Sequence, residues 1–444
     1  MIIRIGWNNH KVLGNLELDF NNSSGKPCNT IVIAGENGTG KTSILQTLSD
    51  FLNLLSIEPF DYLEYEINGS NFRLTPDGNP LLGFHIRTDL KINTSERIHT
   101  NKNNNPKQID SDLKDIRHYG CIYSTARSVF KVERITTSST MDLNTDNHKV
   151  DDDSFNFKNI KQLLVDLETE DALNLKERLE KCQGDKGKEF DEFNKDSRIS
   201  RFKNAFNSFF TDIKYDRIEN VNNAKEIHFI KNGKKVAIDD LSTGEKQIVY
   251  RGAFCLKDRD SVSNGIVLID EPELSMHPRW QSKILQFYRN IFTQGGVQTA
   301  QIIVATHSPY VIKAALDDPV NSKVIVLGND NGTIVSKQIP SIKLTRLLAS
   351  EINYIAFGIV SEDYFMELYE LVQTNSGTDS IVGCDNYIIK NNPPQSLLRN
   401  DSYKGTNYQT LPTYIRNAIS HPKSGRTYTE PELKECVEYL RLIV

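Results

Sequence analysis

The sequence lacks several features that would assign it to a special class. Its six cysteines are scattered and none forms a Cys-x-x-Cys pair, so a zinc site is not indicated and a reducing cytoplasm is the expected location. No run approaches the roughly 18 apolar residues of a membrane-spanning helix. The first residues, Met1-Ile-Ile-Arg-Ile5, are typical of a strand rather than of a signal peptide. These absences favour a globular protein without membrane contact.

The chain also lacks a dominant charge. It has 53 basic and 58 acidic residues and a net charge of −5. Because no overall field attracts nucleic acid, a contact with DNA or RNA would need a local basic patch. The 444 residues suffice for two or three domains with a large core. No sustained heptad pattern appears, which excludes the long arms of a coiled-coil protein.

A glycine-rich loop follows a short apolar strand. Residues 29–34 form a β-branched run, and Gly35-Glu-Asn-Gly-Thr-Gly-Lys41-Thr42 comes directly after it. Glycines allow a tight turn whose N–H groups face phosphate oxygens, while Lys41 would reach the β- and γ-phosphates and the Thr42 hydroxyl would bind Mg²⁺. The pattern predicts an ATP-binding loop with these contact residues: Gly35, Asn37, Gly38, Thr39, Gly40, Lys41, Thr42 and Ser43.

Two further apolar strands end in polar residues that suit ATP hydrolysis. Residues 266–269 lead into Asp270 and Glu271, and residues 301–305 lead to His307. The carboxyl ends of strands in an open α/β sheet are where ligands bind, so we expect these side chains to meet the glycine-rich loop. Asp270 would hold Mg²⁺, Glu271 would polarise the attacking water, and His307 would sense the γ-phosphate.

The segment Leu241-Ser-Thr-Gly-Glu245 has the pattern of a helix start, with Ser242 and Glu245 spaced as a capping box. A serine hydroxyl and a glycine N–H at this position suit a γ-phosphate. The glycine-rich loop already surrounds the nucleotide of its own chain on the opposite side. We therefore expect this segment to cap an ATP held by a second copy, through Ser242, Thr243, Gly244 and Glu245.

Together the four segments resemble the non-transporter ABC-type ATPases, a broad group that includes SMC, RecF and OLD proteins. In this resemblance residues 241–245 match the signature motif, and Leu274-Ser-Met-His-Pro278 matches the loop after the acids. The resemblance implies an α/β P-loop ATPase head, a mixed and largely parallel sheet with flanking helices, slow hydrolysis of ATP with Mg²⁺, and a homodimer closed around two ATP molecules. Arg127 is a candidate phosphate or interface contact, with a surface arginine as the equal alternative.

Pattern and composition divide the chain into four parts. Residues 1–134 and 221–345 are expected to form the two halves of the head, and residues 135–220 an inserted helical lobe. Asn-Gly pairs at 232–233 and 331–332 predict hairpins. Helical periodicity at 354–372, 411–421 and 430–442 predicts an all-α domain over residues 346–444.

Arg416 and His421 resemble the motif of HEPN ribonucleases. A histidine could act as acid or base at a ribose 2′-OH while an arginine stabilises the phosphate. However, five residues on an ideal helix separate two side chains by about 140°, so one helix would not bring them together. A structural cap or docking surface is therefore favoured. Asp363, Asp379 and Asp385 lack the flanking apolar strands expected of a Toprim nuclease.

A compact head, a short lobe and a helical tail resemble the ATPase subunits of bacterial anti-phage systems. The Septu ATPase is the nearest in pattern, followed by those of the PARIS and retron systems. This resemblance implies a regulatory ATPase that controls a separately encoded nuclease, of HNH type, and assembly beyond the dimer. Two alternatives stay open: an ATP-gated HEPN-type ribonuclease toxin, and an SMC-like ATPase of DNA repair.

Overall fold

The computed structural model describes residues 1–52, 60–78, 84–99, 121–124, 148–149, 157–221, 224–256, 265–337, 339, 342–378, 380–403 and 405–444. Arg127 and Asp379, named above, lie outside these residues. The chain forms two compact units, Met1–Lys337 and Gln338–Val444. The second unit begins ahead of the expected residue 346, because Leu344 already joins its apolar core.

The described residues of the first unit form both strands and helices. Its strands are β1 (Ile2–Gly6), β2 (Glu17–Asp19), β3 (Thr30–Gly35), β4 (Tyr62–Ile67), β5 (Ser70–Pro76), β6 (Phe84–Asp89), β7 (Thr94–His99), β8 (Cys121–Ser124), β9 (His148–Lys149), β10 (Ile213–Val221), β11 (Ala224–Lys231), β12 (Lys234–Ala237), β13 (Ile266–Asp270), β14 (Thr293–Gln294), β15 (Val297–Gln298), β16 (Gln301–Thr306), β17 (Ser322–Asp330) and β18 (Thr333–Lys337). Its helices are α1 (Lys41–Leu52), α2 (Phe157–Lys181), α3 (Lys186–Asp196), α4 (Arg198–Phe209), α5 (Thr243–Phe254), α6 (Pro278–Ile291) and α7 (Pro309–Leu316).

The central sheet positions the candidate site. Among the described residues it has seven strands in the order β18-β17-β3-β16-β13-β8-β9, and all neighbours are parallel except β17 and β18. Every residue of β3, β13 and β16 is buried, as expected for strands covered on both faces. Asp270 lies opposite Ala305, and Thr306 lies opposite Ala34. The three strands therefore end at one level, which confirms the α/β fold and the common sheet edge.

Antiparallel sheets complete the first unit. One has the order β2-β1-β4-β5-β6-β7, and its apolar side chains share a core with α1 and the central sheet. A second has the order β10-β11-β12, and β14 and β15 form a third, two-stranded sheet. Both predicted Asn-Gly hairpins are confirmed: Asn232 and Gly233 join β11 to β12, and Asn331 and Gly332 join β17 to β18, all four at positive φ.

Helices α2, α3 and α4 lie in the region expected to form a helical lobe, although β10 begins before its expected end at residue 220. Asp185 and Ser197 cap α3 and α4 with their side chains. The ring of Phe206 on α4 contacts Phe229 on β11 at a centroid distance of 5.1 Å. Phe209, also on α4, contacts Phe287 on α6 at 5.5 Å. These aromatic contacts fix the lobe to the head.

The second unit contains α8 (Ala349–Phe357), α9 (Glu362–Ser376), α10 (Ile381–Lys390), β19 (Leu398–Tyr403), β20 (Thr406–Thr410), α11 (Leu411–Ser420) and α12 (Glu430–Ile443). The helices were expected, but the β19–β20 hairpin corrects the all-α prediction. Its first strand is mostly polar and offers no apolar alternation to recognise. The predicted helix over 354–372 is two helices, separated at Gly358 with a φ of 69°. No helix in the described ranges is long and apolar enough to cross a bilayer.

Candidate ATP site

The glycine-rich loop between β3 and α1 has a backbone that only glycine tolerates at two of its positions. Gly35 has a φ of 156°, and a Cβ there would lie 2.8 Å from the carbonyl oxygen of Leu327. Gly40 has a φ of 81°, and a Cβ there would lie 2.3 Å from Leu13 Cδ2. The loop is therefore held tightly between neighbouring elements, with the first turn of α1 directly behind it.

Lys41 folds back onto this loop. Its side chain is 5% exposed, and its Nζ donates to the carbonyl oxygens of Gly35 and Glu36, at 2.9 Å each. Burial lowers the pKa of Lys41, while the carboxylate of Asp270 opposes this shift. The ammonium is thus held against the loop that would surround the phosphates of ATP.

Thr42 and Asp270 meet directly across the sheet edge. The Thr42 hydroxyl donates to Asp270 Oδ2 at 2.8 Å. The other oxygen, Oδ1, is buried and has no hydrogen-bond partner among the described residues. Burial raises the pKa of Asp270, and the hydrogen bond from Thr42 partly offsets the shift.

An orphaned carboxylate oxygen beside a hydroxyl fits Mg²⁺, which binds proteins through one or two carboxylates and completes its shell with water and substrate phosphates. No cluster of three or more histidine, cysteine or acidic side chains suited to a metal occurs in the described part of the chain.

Glu271 and His307 follow Asp270 and Thr306 at the ends of adjacent strands. His307 Nε2 lies 3.6 Å from Glu271 Oε1. Burial and then the charge of Lys41 lower the pKa of His307, with Glu271 acting in the opposite direction. The lowered pKa favours the neutral imidazole, which can donate one hydrogen bond. Lys41, Thr42, Asp270, Glu271 and His307 thus lie at one sheet edge, and the roles predicted for them stay predictions.

Glu273 and Arg251 are two site residues that sequence reasoning missed. Glu273 Oε1 accepts from the Thr306 hydroxyl and from the His307 N–H, both at 2.7 Å. Its position in Asp-Glu-Pro-Glu, next to the predicted acids, was a usable signal. Arg251 donates to the carbonyl oxygen of Glu271 at 3.1 Å. One arginine inside a helix gives no such signal.

The signature segment forms a capped helix start, as predicted. The Ser242 hydroxyl accepts from the Glu245 N–H at 3.4 Å, and Glu245 Oε2 accepts from the Ser242 N–H at 2.8 Å. Glu245 is buried and also accepts from Lys231 Nζ at 2.8 Å. Although burial opposes its charge, the bonds from Lys231 and Ser242 lower the pKa of Glu245. Glu245 therefore supports the segment from within, whereas Ser242 and Thr243 are exposed.

Gly244 lets the signature segment pack against α6. A Cβ on Gly244 would lie 2.8 Å from Trp280 Cζ3. Trp280 in turn contacts the ring of Phe210 at a centroid distance of 5.1 Å. The absence of a side chain at Gly244 thus sets the distance between the start of α5 and α6.

The structure gives Arg416 and His421 different partners. Arg416 Nη1 donates to Asn417 Oδ1 at 3.2 Å, while the His421 ring stacks on Tyr403 at 5.0 Å. Neither contact joins the two residues. Asp385 accepts from Thr410 and Gln409, which makes it a support for the start of α11 rather than a nuclease acid.

Comparisons with known proteins agree with this site. Residues 31–313 match the profile of the family described as "AAA domain, putative AbiEii toxin, Type IV TA system". The Septu protein PtuA of Bacillus mycoides (strain KBAB4) is 21% identical over 97% of this chain and 52% of the relative. The Retron Vc95 probable ATPase of Vibrio cholerae serotype O1 biovar El Tor is 23% identical over 66% of this chain and 68% of the relative. The chain spans about half the length of that PtuA.

Among solved structures, the SMC head domain from Thermotoga maritima aligns with 77% of this chain and 99% of that chain, at 13% identity and a TM-score of 0.40. The match to the family profile covers well over half of the 444 residues and includes all four segments of the site. The chain belongs to this family of AAA-domain ATPases.

Proposed function

We propose that the chain binds ATP with Mg²⁺, closes into a homodimer around two ATP molecules, and hydrolyses them slowly to control a separately encoded nuclease in an anti-phage complex. The observation that carries the ATP assignment is the convergence of three strand ends. There Lys41, the Thr42–Asp270 pair and the Glu271–His307 pair share one sheet edge.

Each side chain has a distinct part in this proposal. Lys41 and the loop N–H groups hold the phosphates, and Thr42 and Asp270 hold Mg²⁺, which neutralises phosphate charge. Glu271 accepts a proton from water while the water oxygen bonds to the γ-phosphorus and the bond to ADP breaks. Neutral His307 donates a hydrogen bond to the γ-phosphate, where negative charge has to be stabilised.

The first experiment removes the proposed base. Glu271→Gln keeps the size of the side chain but cannot take the proton, so turnover should fall by about 100-fold or more. ATP should still bind and should trap the dimer, which light scattering after gel filtration detects. Lys41→Ala should prevent ATP binding. Glu180→Gln, at an exposed site on α2, is the matched control. Unchanged turnover in Glu271→Gln refutes the assignment.

The second experiment tests the sandwich. Exposed Ser242 and Thr243 at the start of a capped helix support a contact with an ATP held by another copy. Lys41→Ala and Ser242→Arg should each form no ATP-dependent dimer alone. When they are mixed, the glycine-rich loop of the Ser242→Arg subunit and the signature segment of the Lys41→Ala subunit make one intact site, so ATP-dependent dimerisation should recover, as light scattering detects. No recovery of ATP-dependent dimerisation in the mixture contradicts the shared site.

A role in an anti-phage complex is supported by the names of the relatives, and a nuclease on another protein is supported by the separate partners of Arg416 and His421 in the second unit. The relatives include a Septu protein PtuA and a Retron Vc95 probable ATPase. Arg416 and His421 have separate partners, so the described residues favour a nuclease on another protein. The described cysteine side chains are all free thiols, which suits action in a reducing cytoplasm.

The test is to assay the purified chain on RNA and DNA, alone and with the product of the neighbouring gene. We expect no cleavage by the chain alone and ATP-dependent cleavage by the complex. Cleavage of RNA by the chain alone, lost in both Arg416→Ala and His421→Ala, would instead establish the ribonuclease alternative. We further propose that the complex assembles beyond the dimer, and light scattering on the same complex should give a mass above that of one dimer with its partner.

A further inference from the structure

Helix α5, which begins at the exposed signature segment, also reaches the acids of its own subunit. Arg251 lies near the other end of α5, and its side chain is 1% exposed. Nη2 donates to the carbonyl oxygen of Glu271 at 3.1 Å, and Nη1 donates to the Tyr288 hydroxyl at 3.4 Å. A residue of the signature helix therefore holds the backbone of the proposed base.

The backbone of Glu271 needs such support. Its φ is 44°, a left-handed conformation that a glutamate adopts only when the surrounding structure fixes it. The Glu271 N–H donates to the carbonyl oxygen of Ala305 at 2.9 Å, and its own carbonyl oxygen accepts from Arg251. One side of the residue is thus fixed by β16 and the other by α5. A shift of α5 would change the direction in which the Glu271 carboxylate points.

Glu273 extends this connection to His307. Its Oε1 accepts from the His307 N–H, while its Oε2 is buried without a hydrogen-bond partner in the part of the chain that the structure describes. Burial raises the pKa of Glu273, and the hydrogen bonds from Thr306 and the His307 N–H oppose that shift, as does, more weakly, the positive charge of Arg251. Arg251 therefore acts on Glu271 through a hydrogen bond and on the support of His307 through charge.

The alternative is that Arg251 has a purely structural role, and Arg289 on α6 is an example of an arginine with such a role. Arg289 is also buried, its guanidinium donates to Thr30 and Ser322, and it pairs with Asp318 at 3.3 Å. None of these partners is a residue of the candidate site. Arg289 is therefore a matched control, because its loss should reduce stability without moving the acids.

We propose that Arg251 is a positioning residue that couples the two ATP sites of the dimer. When Ser242 and Gly244 engage the ATP of the other subunit, α5 is fixed and Arg251 aligns Glu271 of its own subunit. Each subunit then hydrolyses its own ATP only after it has captured that of its neighbour. This inference rests on the proposed ATP sandwich. A misplacement of about 1 Å in a catalytic group lowers rates by roughly 100-fold, so small movements of α5 suffice.

The experiment measures steady-state turnover against ATP concentration for wild type, Arg251→Met, Arg251→Lys and Arg289→Met. Wild type should be sigmoidal, with a Hill coefficient above 1 and at most about 2 for two sites. Arg251→Met should lower kcat by about 10- to 100-fold and reduce the Hill coefficient to about 1, with ATP affinity within about threefold. Arg251→Lys keeps one donor and should recover part of kcat. Arg289→Met should melt earlier yet remain sigmoidal.

A hyperbolic dependence of wild-type turnover on ATP concentration would overturn the inference. So would an Arg251→Met turnover curve that matches the curve of Arg289→Met. If Arg251→Met does not fold, unchanged kcat and cooperativity in Arg251→Lys would overturn it. The proposed function fails in a different way, through persistent turnover in Glu271→Gln or no recovery in the mixed-variant experiment. The two failures are therefore distinguishable.

Discussion

Replacing Gly244 with alanine tests the signature segment with a single methyl group. Gly244 is not at positive φ, so alanine is compatible with its backbone. The new Cβ would lie 2.8 Å from Trp280 Cζ3. The helices α5 and α6 would have to move apart by about 0.6 Å for this contact to become an ordinary one. The change therefore pushes the proposed cap at the start of α5 away from α6.

Two opposing effects decide the stability of the Gly244→Ala variant. Alanine in place of glycine stabilises a helix by up to about 1 kcal/mol. Overpacking against a large ring costs about 1–3 kcal/mol. We expect a net loss of about 0–2 kcal/mol, and therefore a fall in Tm of only a few degrees. Turnover should fall more, by about tenfold, because a displacement near half an ångström misplaces the γ-phosphate contacts.

The assay compares ATP affinity, ATP-dependent dimerisation and kcat in Gly244→Ala and in Gly184→Ala, where a Cβ meets nothing within 4 Å. Only Gly244→Ala should impair dimerisation and kcat, and ATP affinity of the monomer should be unchanged in both. Trp280→Phe removes the clashing atom, so the double variant should recover part of the loss. If the two alanine variants behave alike, or if monomer affinity falls together with kcat, the reasoning is wrong.

Three further predictions concern charge and proton balance. The pKa of His307 in the folded chain is below its usual 6.5, so the unfolded chain takes up this proton at a higher pH than the folded chain. His307 therefore lowers the stability of the fold as the pH falls below about 6.5. The Tm of His307→Asn should exceed that of wild type increasingly from pH 7 to 5.5. Glu273→Gln should lower kcat by about tenfold with little change in KM, because the side chain that accepts from the His307 N–H keeps its size but loses its charge. A phosphate-release assay measures kcat and KM, and an unchanged kcat contradicts the prediction. With a net charge of −5, the chain should show no salt-sensitive binding to labelled DNA by fluorescence anisotropy, and steep salt dependence would favour the DNA-repair alternative.

The candidate site could be predicted where the chemistry is carried by consecutive residues. Gly35 to Thr42 follow one strand, Asp270 and Glu271 another, and His307 a third, so a parallel sheet is enough to bring them together. The Asn-Gly hairpins were predictable for the same local reason. Each of these features depends on a few neighbours in sequence and on one general property of sheets.

The remaining features depend on packing between distant segments. Arg251 reaches the Glu271 carbonyl oxygen and the Tyr288 hydroxyl only because α5 packs beside the end of β13 and α6, and no periodicity of its own segment indicates these contacts. The β19–β20 hairpin consists mostly of polar residues, so the alternation that indicates a strand is missing. Arg416 and His421 resembled a ribonuclease motif, but their spacing favoured a structural role, and the contacts of Arg416 with Asn417 and of His421 with Tyr403 agree with that role.

Arg251 and Glu273 are both incompletely hydrogen-bonded in the part of the chain that the structure describes. Within the described residues, Arg251 Nε and Glu273 Oε2 are buried and lack hydrogen-bond partners. Each unsatisfied group costs about 1–3 kcal/mol, and well-packed apolar side chains often replace buried ions without loss of stability. Stability alone therefore does not explain these charges. The hydrogen-bonded atoms of Arg251 and Glu273 hold the Glu271 carbonyl oxygen and the His307 N–H. The buried charges, which cost stability, therefore lie where they set the orientation of the two proposed catalytic groups.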